Sequence, residues 1–329
     1  MKRRSFVRAL AAATVGSFGP VAWAQEAWPT KPVRLIVGLA PGGLADIAAR
    51  LIAPGLGAEL GQPFVVENLV GAGGVNAAQT VARSTPDGYT LMLSLDATMC
   101  ITPALRVVPT PFEMLKDFAF MGRVLQAPLV IFASEEFAAN NVADLVRLGK
   151  SPENHLFYGS AGVGSSGHIA GEYLKALAGF DMTHVPYRGA GEALTDTVSG
   201  KINMYISTAP SGMEFVKTGQ LKVLGNTGSV RTPELPDVPT LAESGVPALK
   251  GFDLQAWAGV LAPAGTPPAI VAKVNTALRK VVGDPALADR FRVLGVTSGV
   301  TSPDEMRAQI ALETERWRKL GKDAKIELQ

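Results

Sequence analysis

Residues 33–52 read VRLIVGLAPGGLADIAARLI. Val33 to Val37 is an apolar run of strand type, Pro41-Gly42-Gly43 is a turn, and from Leu44 the apolar residues fall at helical spacing. Residues 155–179, HLFYGSAGVGSSGHIAGEYLKALAG, repeat the design. There a short strand at 156–158 passes through Gly162-Val163-Gly164-Ser165-Ser166-Gly167 into a helix over 168–178, with Ile169, Tyr173, Leu174 and Leu177 on one face. A strand that hands over to a helix through glycines leaves bare backbone N–H groups at the helix start. The helix dipole favours negative charge at the same place. Two such turns in separate halves of the chain predict an anion held between two lobes.

Working outward, strand-type runs at 64–67, 90–95, 129–133, 183–187, 202–207, 221–227 and 255–262 alternate with helical patterns. The helices are expected at 44–57, 74–83, 142–149, 191–198, 212–218, 267–282, 285–294 and 303–320. This alternation predicts α/β lobes with largely parallel sheets. Pro54, inside the first helical pattern, is expected to kink that helix or end it early. Residues 103–117 are irregular and proline-containing, and predict a surface excursion. A chain that leaves lobe one near Gln126-Ala127-Pro128 and returns between Pro247 and Phe252 would make a hinge of two crossings.

The beginning of the chain reads as a leader. Lys2, Arg3, Arg4 and Arg8 border an uncharged small-apolar stretch over 9–22, and Ala22-Trp23-Ala24 offers a small-x-small cleavage site. The stretch is shorter than the ~20 residues of a membrane span. Arg3-Arg4-Ser5-Phe6 leaves both the general secretory and the twin-arginine export routes open. Cleavage after Ala24 leaves 305 of the 329 residues, enough for two domains. It also removes four basic residues, which takes the formal net charge from +2 to −2 and weakens any case for a nucleic-acid partner. The single cysteine, Cys100, excludes an intrachain disulfide and reads as a small buried apolar residue.

Several enzymatic readings fail on spacing. Gly162-x-Gly164-x-x-Gly167 matches a dinucleotide fingerprint, but the acid required about 20 residues on would be Asp181, which begins the next strand instead of ending it. No cofactor is therefore expected. A nucleophile elbow needs Gly-x-Ser-x-Gly. Ser165 has Val163 two residues before it, and Ser166 has His168 two residues after it. Their simpler role is capping the helix that follows, with a hydroxyl available to a ligand oxygen. His155, His168 and His184 have no histidine or cysteine at metal-ligand spacing, so no metal site is expected. His168 stands in the first helical turn, where it can contact a bound carboxylate or pack. Asp46 stands in the first turn of the other helix and is expected to organise that turn before it touches a ligand.

The ordered set of motifs resembles one known family over nearly the whole mature chain. It comprises Ala40-Pro41-Gly42-Gly43-x-x-Asp46, Val66-Glu67-Asn68, Gly71-Ala72-Gly73-Gly74 and Pro86-Asp87-Gly88-Tyr89-Thr90-Leu91. In the second half come Gly162-x-Gly164-Ser165-x-x-His168, His184-Val185-Pro186-Tyr187-Arg188-Gly189 and Leu235-Pro236-Asp237-Val238-Pro239-Thr240. In this order they resemble the substrate-binding proteins of tripartite tricarboxylate transporters, the Bug family. The resemblance implies a two-lobe periplasmic binding protein of the type II, Venus flytrap kind. Each lobe would be a mostly parallel sheet flanked by helices, with lobe 1 from 25–127 and 250–329 and lobe 2 from 128–249. It implies a monomer without cofactor or catalysis that closes on a small organic carboxylate and delivers it to membrane permease subunits.

The implied cleft is built from Pro41, Gly42, Gly43, Leu44 and Asp46, from Ala72 and Gly73, and from Ser160, Gly164, Ser165, Ser166 and His168. Asp96, at the end of the third strand, is expected to meet a ligand ammonium or hydroxyl, or to disfavour a second carboxylate, if it points into the cleft. The chain departs from the family pattern at Leu69-Val70, where Arg-Pro is usual, and at Thr110-Pro111-Phe112-Glu113. The lost positive charge would weaken a preference for highly charged ligands. Two rival readings stand beside this one: a receptor feeding a signalling partner, and an exported hydrolase using Ser165 or Ser166.

Overall fold

The run from Val33 to Val37 forms the first strand, β1, and the glycine turn after it opens directly into α1 (Leu44–Leu60). The computed structural model describes residues 28–232, 235–324, 326 and 328, so the expected leader lies outside the described residues. The further strands are β2 (Phe64–Asn68), β3 (Thr90–Leu95), β4 (Phe118–Ser134), β5 (Phe157–Ser160), β6 (Thr183–Pro186), β7 (Met204–Thr208), β8 (Leu221–Asn226), β9 (Gln255–Pro263) and β10 (Thr297–Ser298). The further helices are α2 (Val75–Ala82), α3 (Thr102–Leu105), α4 (Met114–Asp117), α5 (Val142–Gly149), α6 (Ser166–Ala178), α7 (Ala190–Val198), α8 (Met213–Lys217), α9 (Pro268–Val282), α10 (Pro285–Val293) and α11 (Pro303–Ala324).

The strand order is β2-β1-β3-β9-β4-β7-β5-β6, with β8 and β10 also paired to β4. Two parallel trios, β2-β1-β3 and β6-β5-β7, lie in the two halves. The strands between them, β9 and β4, pair antiparallel, so the sheets are more mixed than the strand–helix alternation suggests. The sequence singles out only 129–133 in this region, whereas β4 runs over 17 residues. Its first part, Phe118 to Pro128, pairs with β9, and its second part, from Leu129, pairs with β7 and β8. One strand thus passes through both halves. At Gly122 the register with β9 shifts and φ is +128°, a conformation open to glycine, with Thr301 O only 2.6 Å from where a Cβ would sit.

Strand alternation sorts the core of the second half. Leu129, Ile131 and Ala133 of β4 and Met204 and Ile206 of β7 join the main core, which is continuous with that of the first half. The intervening Val130, Phe132 and Tyr205 face the other way and pack with Ala190, Ala193 and Leu194 of α7. Helices therefore cover both faces, α6 on one and α7 on the other.

Two local expectations are adjusted: Pro54 does not end α1 early, and the 103–117 segment is not wholly on the surface. α1 continues through Pro54 to a left-handed cap at Gly61, whose N–H donates to Gly57 O. The lost hydrogen bond is outweighed by packing: Gly55 lets α9 approach so closely that a Cβ there would lie 2.6 Å from Val281 Cγ1. The segment 103–117 is also not simply superficial. Leu105, Phe112 and Met114 are buried, and Phe112 meets Phe118 edge-on at 5.6 Å. Among the described residues, no helix is long and apolar enough to cross a membrane.

Candidate ligand-binding cleft

Gly43, in an extended conformation, is the N-cap of α1 and supplies no side-chain acceptor, so the first-turn amides of α1 are left open. Asp46 holds the turn from behind. Its carboxylate accepts from Gly42 N at 3.0 Å, from Arg50 Nε at 3.0 Å and from Asn68 Nδ2 at 3.0 Å. Burial works against its ionisation, but the bonds from Arg50, Gly42 and Asn68 outweigh that and hold the carboxyl below its ordinary range. With three partners inside the protein, Asp46 acts as an organiser of the turn.

The second turn is tied by a buried network of hydroxyls and imidazoles. Ser165 caps α6 by accepting from His168 N at 3.3 Å, and its hydroxyl donates to Ser160 Oγ at 3.0 Å. Gly164 N donates to His168 Nδ1 at 3.1 Å, and the His168 ring stacks on His184 with centroids 3.9 Å apart. Burial lowers both imidazoles, His184 to about 3, and the neighbouring His168 adds to the push. Both rings are therefore neutral near pH 7. Ser160 Oγ lies 2.7 Å from His184 Nε2, but Ser160 is completely enclosed and offers no path to a substrate.

Asp96 does not face the cleft. It is 2 % exposed, and its Oδ1 accepts from Ser166 Oγ at 3.2 Å and from Trp257 N at 3.3 Å. Burial, followed by the charge of Glu313, raises its carboxyl to about 8. Trp257 Nε1 in turn donates to Glu313 Oε2 at 2.8 Å. The carboxyl joins the end of β3 to the start of α6 and to β9.

One cavity lies between the turns. Of the residues expected there, Gly43, Leu44, Gly73, Ser165 and Ser166 line it. Pro41, Gly42, Ala72 and Gly164 shape the turns behind that wall, and Asp46, Asp96, Ser160 and His168 spend their side chains on protein partners. The structure adds residues that the sequence reading does not place in the cleft. Gly189 is the N-cap of α7, again without a side-chain acceptor, and it lines the cavity with Arg188 and Ala190. Tyr205, Ser207 and Ser211 line it as well. The signal for α7 is legible in hindsight, since 183–191 repeats the strand–glycine–helix design. Tyr205 carries no such signal.

The halves touch at the rim. A Cβ on Gly189 would lie 2.9 Å from Ala40 Cβ, and one on Gly73 would lie 3.0 Å from Val163 O. Three helix starts, those of α1, α6 and α7, thus border a cavity whose wall contains no acidic side chain and a single cationic one, Arg188. Such a wall suits a small anion. No group of three or more potential metal-ligating side chains occurs among the described residues.

The family profile described as "Tripartite tricarboxylate transporter family receptor" matches residues 48–326. Protein BugT of Bordetella pertussis is 32% identical over 306 residues, covering 93% of this chain and 92% of its own. Among solved structures, Rhodopseudomonas palustris Rpa4515 with adipate superimposes with a TM-score of 0.86 at 32% identity, covering 91% of this chain and 99% of that one. MatC from the same organism, with bound malate, gives 0.83 at 31%, covering 89% and 99%. The periplasmic binding protein BugD gives 0.85 at 31%, covering 91% and 99%. These likenesses agree with the two-lobe architecture and span nearly the whole chain, so the protein belongs to the tripartite tricarboxylate transporter receptors, the Bug family of periplasmic solute-binding proteins.

Proposed function

We propose that this protein captures a small carboxylated metabolite between its two lobes in the periplasm and delivers it to the membrane permease of a tripartite transporter. The observation that carries the reading is the convergence of three helix starts, two of them without side-chain acceptors, on one cavity that has no carboxylate in its wall. At α6 the Ser165 hydroxyl serves His168 N, which leaves the Ser166 and Gly167 amides at the cavity wall. Adipate and malate in two relatives support a carboxylate as the captured group.

In this reading lobe 1 comprises 25–127 and 250–329, lobe 2 comprises 128–249, and β4 and the return before β9 form the hinge. The leader is removed after Ala24, and the mature protein acts as a monomer. Closure over the ligand creates the surface that the permease recognises. The protein performs no catalysis, because Ser165 is occupied as a cap and Ser160 is sealed from the cavity.

A thermal-shift screen of mono-, di- and tricarboxylates on the mature protein tests the reading. A ligand at 100 times its Kd adds about 2.7 kcal/mol of stability, and mass spectrometry of the purified protein should find a bound acid. Absence of stabilisation by every acid class would refute it.

A further inference from the structure

Thr227 follows the last residue of β8, is 1 % exposed, and stands where the chain crosses between the two halves. Its N–H donates to Leu129 O at 2.9 Å, and Leu129 N donates back to its hydroxyl at 2.9 Å. The same hydroxyl donates to Leu254 O at 2.6 Å, and Leu254 N donates to Thr227 O at 2.8 Å. Leu129 is the point at which β4 leaves β9 and takes up β7, and Leu254 precedes Gln255, the first residue of β9. One residue thus bonds to both crossings at once. Its side chain spends its single hydrogen on one crossing and a lone pair on the other. Gly228, next in the chain, passes so close that a Cβ on it would lie 3.1 Å from Pro128 Cβ.

On the lobe 1 side of this junction the next rung is Pro128 opposite Gln255, and Pro128 has no N–H to give. Beyond it Ala127 pairs with Ala256, and Gln126 with Trp257. A clamped rung therefore stands beside a weakened one, and bending between the lobes concentrates in the weakened one. Leu129 and Ala256, one on each crossing, line the cavity, so the junction lies directly behind its wall. We propose that Thr227 is a positioning residue for ligand capture. It clamps the two crossings together, so that the lobes rotate about the Pro128–Gln255 rung and bring Leu129 and Ala256 to the same place at each closure. The inference rests on the lobe-closure reading above and deepens it.

Thr227→Val keeps the shape but leaves Leu129 N and Leu254 O without their partner, whereas Thr227→Ser retains both bonds. Thr197→Val is the control, since Thr197 is completely enclosed in the same half and its hydroxyl donates to Ala193 O within one helix. Inter-lobe distances are read by electron–electron double resonance between spin labels on Val70→Cys and Glu192→Cys, exposed positions in opposite halves, with Cys100 buried. Without ligand, Thr227→Val should give a broader distance distribution than wild type, and Thr227→Ser and Thr197→Val should give the wild-type one. Affinity for whichever of succinate, citrate and benzoate binds the wild type should fall about tenfold in Thr227→Val alone, because closure must then order the crossings as well. A lowered melting temperature with unchanged distances and affinity, as Thr197→Val should show, marks a purely structural threonine and overturns the proposal. Should Thr227→Val not fold, hydrogen exchange in the wild type decides. The amides of Leu129, Thr227 and Leu254 should exchange as slowly in the ligand-free protein as those of the β4–β9 ladder, and faster exchange overturns the clamp. Binding of an acid with no change of distance in the wild type refutes lobe closure itself, and the clamp with it. If none of the three acids binds, the carboxylate reading loses its support, while the ligand-free distances and the exchange rates still judge the clamp.

Discussion

Ser166 Oγ donates to Asp96 Oδ1 at 3.2 Å, and this one hydrogen bond ties the first residue of α6 to the end of β3, in the other half of the molecule. The same oxygen accepts from Trp257 N, so three distant segments meet at a single buried carboxyl.

The tie should be sensitive to pH. Asp96 binds its proton more tightly in the folded chain, at about 8, than at its ordinary value of 3.8. The unfolded state therefore holds fewer protons through that window, and the contribution of this group to stability falls as pH rises from about 4 to about 8. Asp96→Asn retains an oxygen for Ser166 and Trp257 but does not titrate. In melts between pH 5 and pH 9, the wild type should lose stability relative to Asp96→Asn as pH increases. Parallel curves would refute the assignment.

Asp46 should behave in the opposite sense. Its carboxyl is held below its ordinary 3.8, so the stability it supplies is present above that value and is lost as pH falls through the lower folded one. Asp46→Ala removes the acceptor shared by Gly42 N, Arg50 and Asn68. Arg50 remains half in solvent, which limits the loss to about 1–3 kcal/mol. Denaturant unfolding measures the loss, and ligand affinity should fall with it because the turn relaxes.

Gly189 offers a probe of lobe contact. Its φ of −176° is extended backbone that any residue adopts, so a side chain there strains nothing locally. Gly189→Ser retains an N-cap preference but places a Cβ 2.9 Å from Ala40 Cβ, which has no flexible end to move aside. Overpacking of this kind costs about 1–3 kcal/mol. We expect it to appear as ligand affinity weakened by roughly tenfold, with the unliganded melting temperature nearly unchanged. A comparable loss of stability without ligand would show that the contact is structural and not part of capture.

Ser165→Ala tests the cap against the nucleophile. Loss of the acceptor for His168 N should cost about 1 kcal/mol of stability by urea unfolding. Affinity for carboxylates should weaken as the turn loosens. Ester turnover that is present in the wild type and abolished by this change would restore the hydrolase reading.

Much of the fold is legible because it is local. β1 and β3 occupy their expected residues, and α5 matches its expected span, because apolar periodicity and end signals lie within each segment. The same holds for the turns before α1 and α6, where glycines and a capping serine announce a helix start. The first half of β4 is not legible locally because Gly122 and Pro128 interrupt the pattern, and pairing with β9 overrides those local signals.

The sequence by itself determined the strand–glycine–helix turns, the elements around them and the family, because those depend on neighbours in the chain and on an ordered set of motifs. Tertiary structure decided which groups face the ligand. Asp96 turned away to Ser166 and Trp257, which lie 70 and 161 residues along the chain. The α7 start at Gly189 came to the cavity because Ala40, in the other half, packs against it. Burial and hydrogen-bond partnership are properties of distant segments brought together, and no local pattern encodes them.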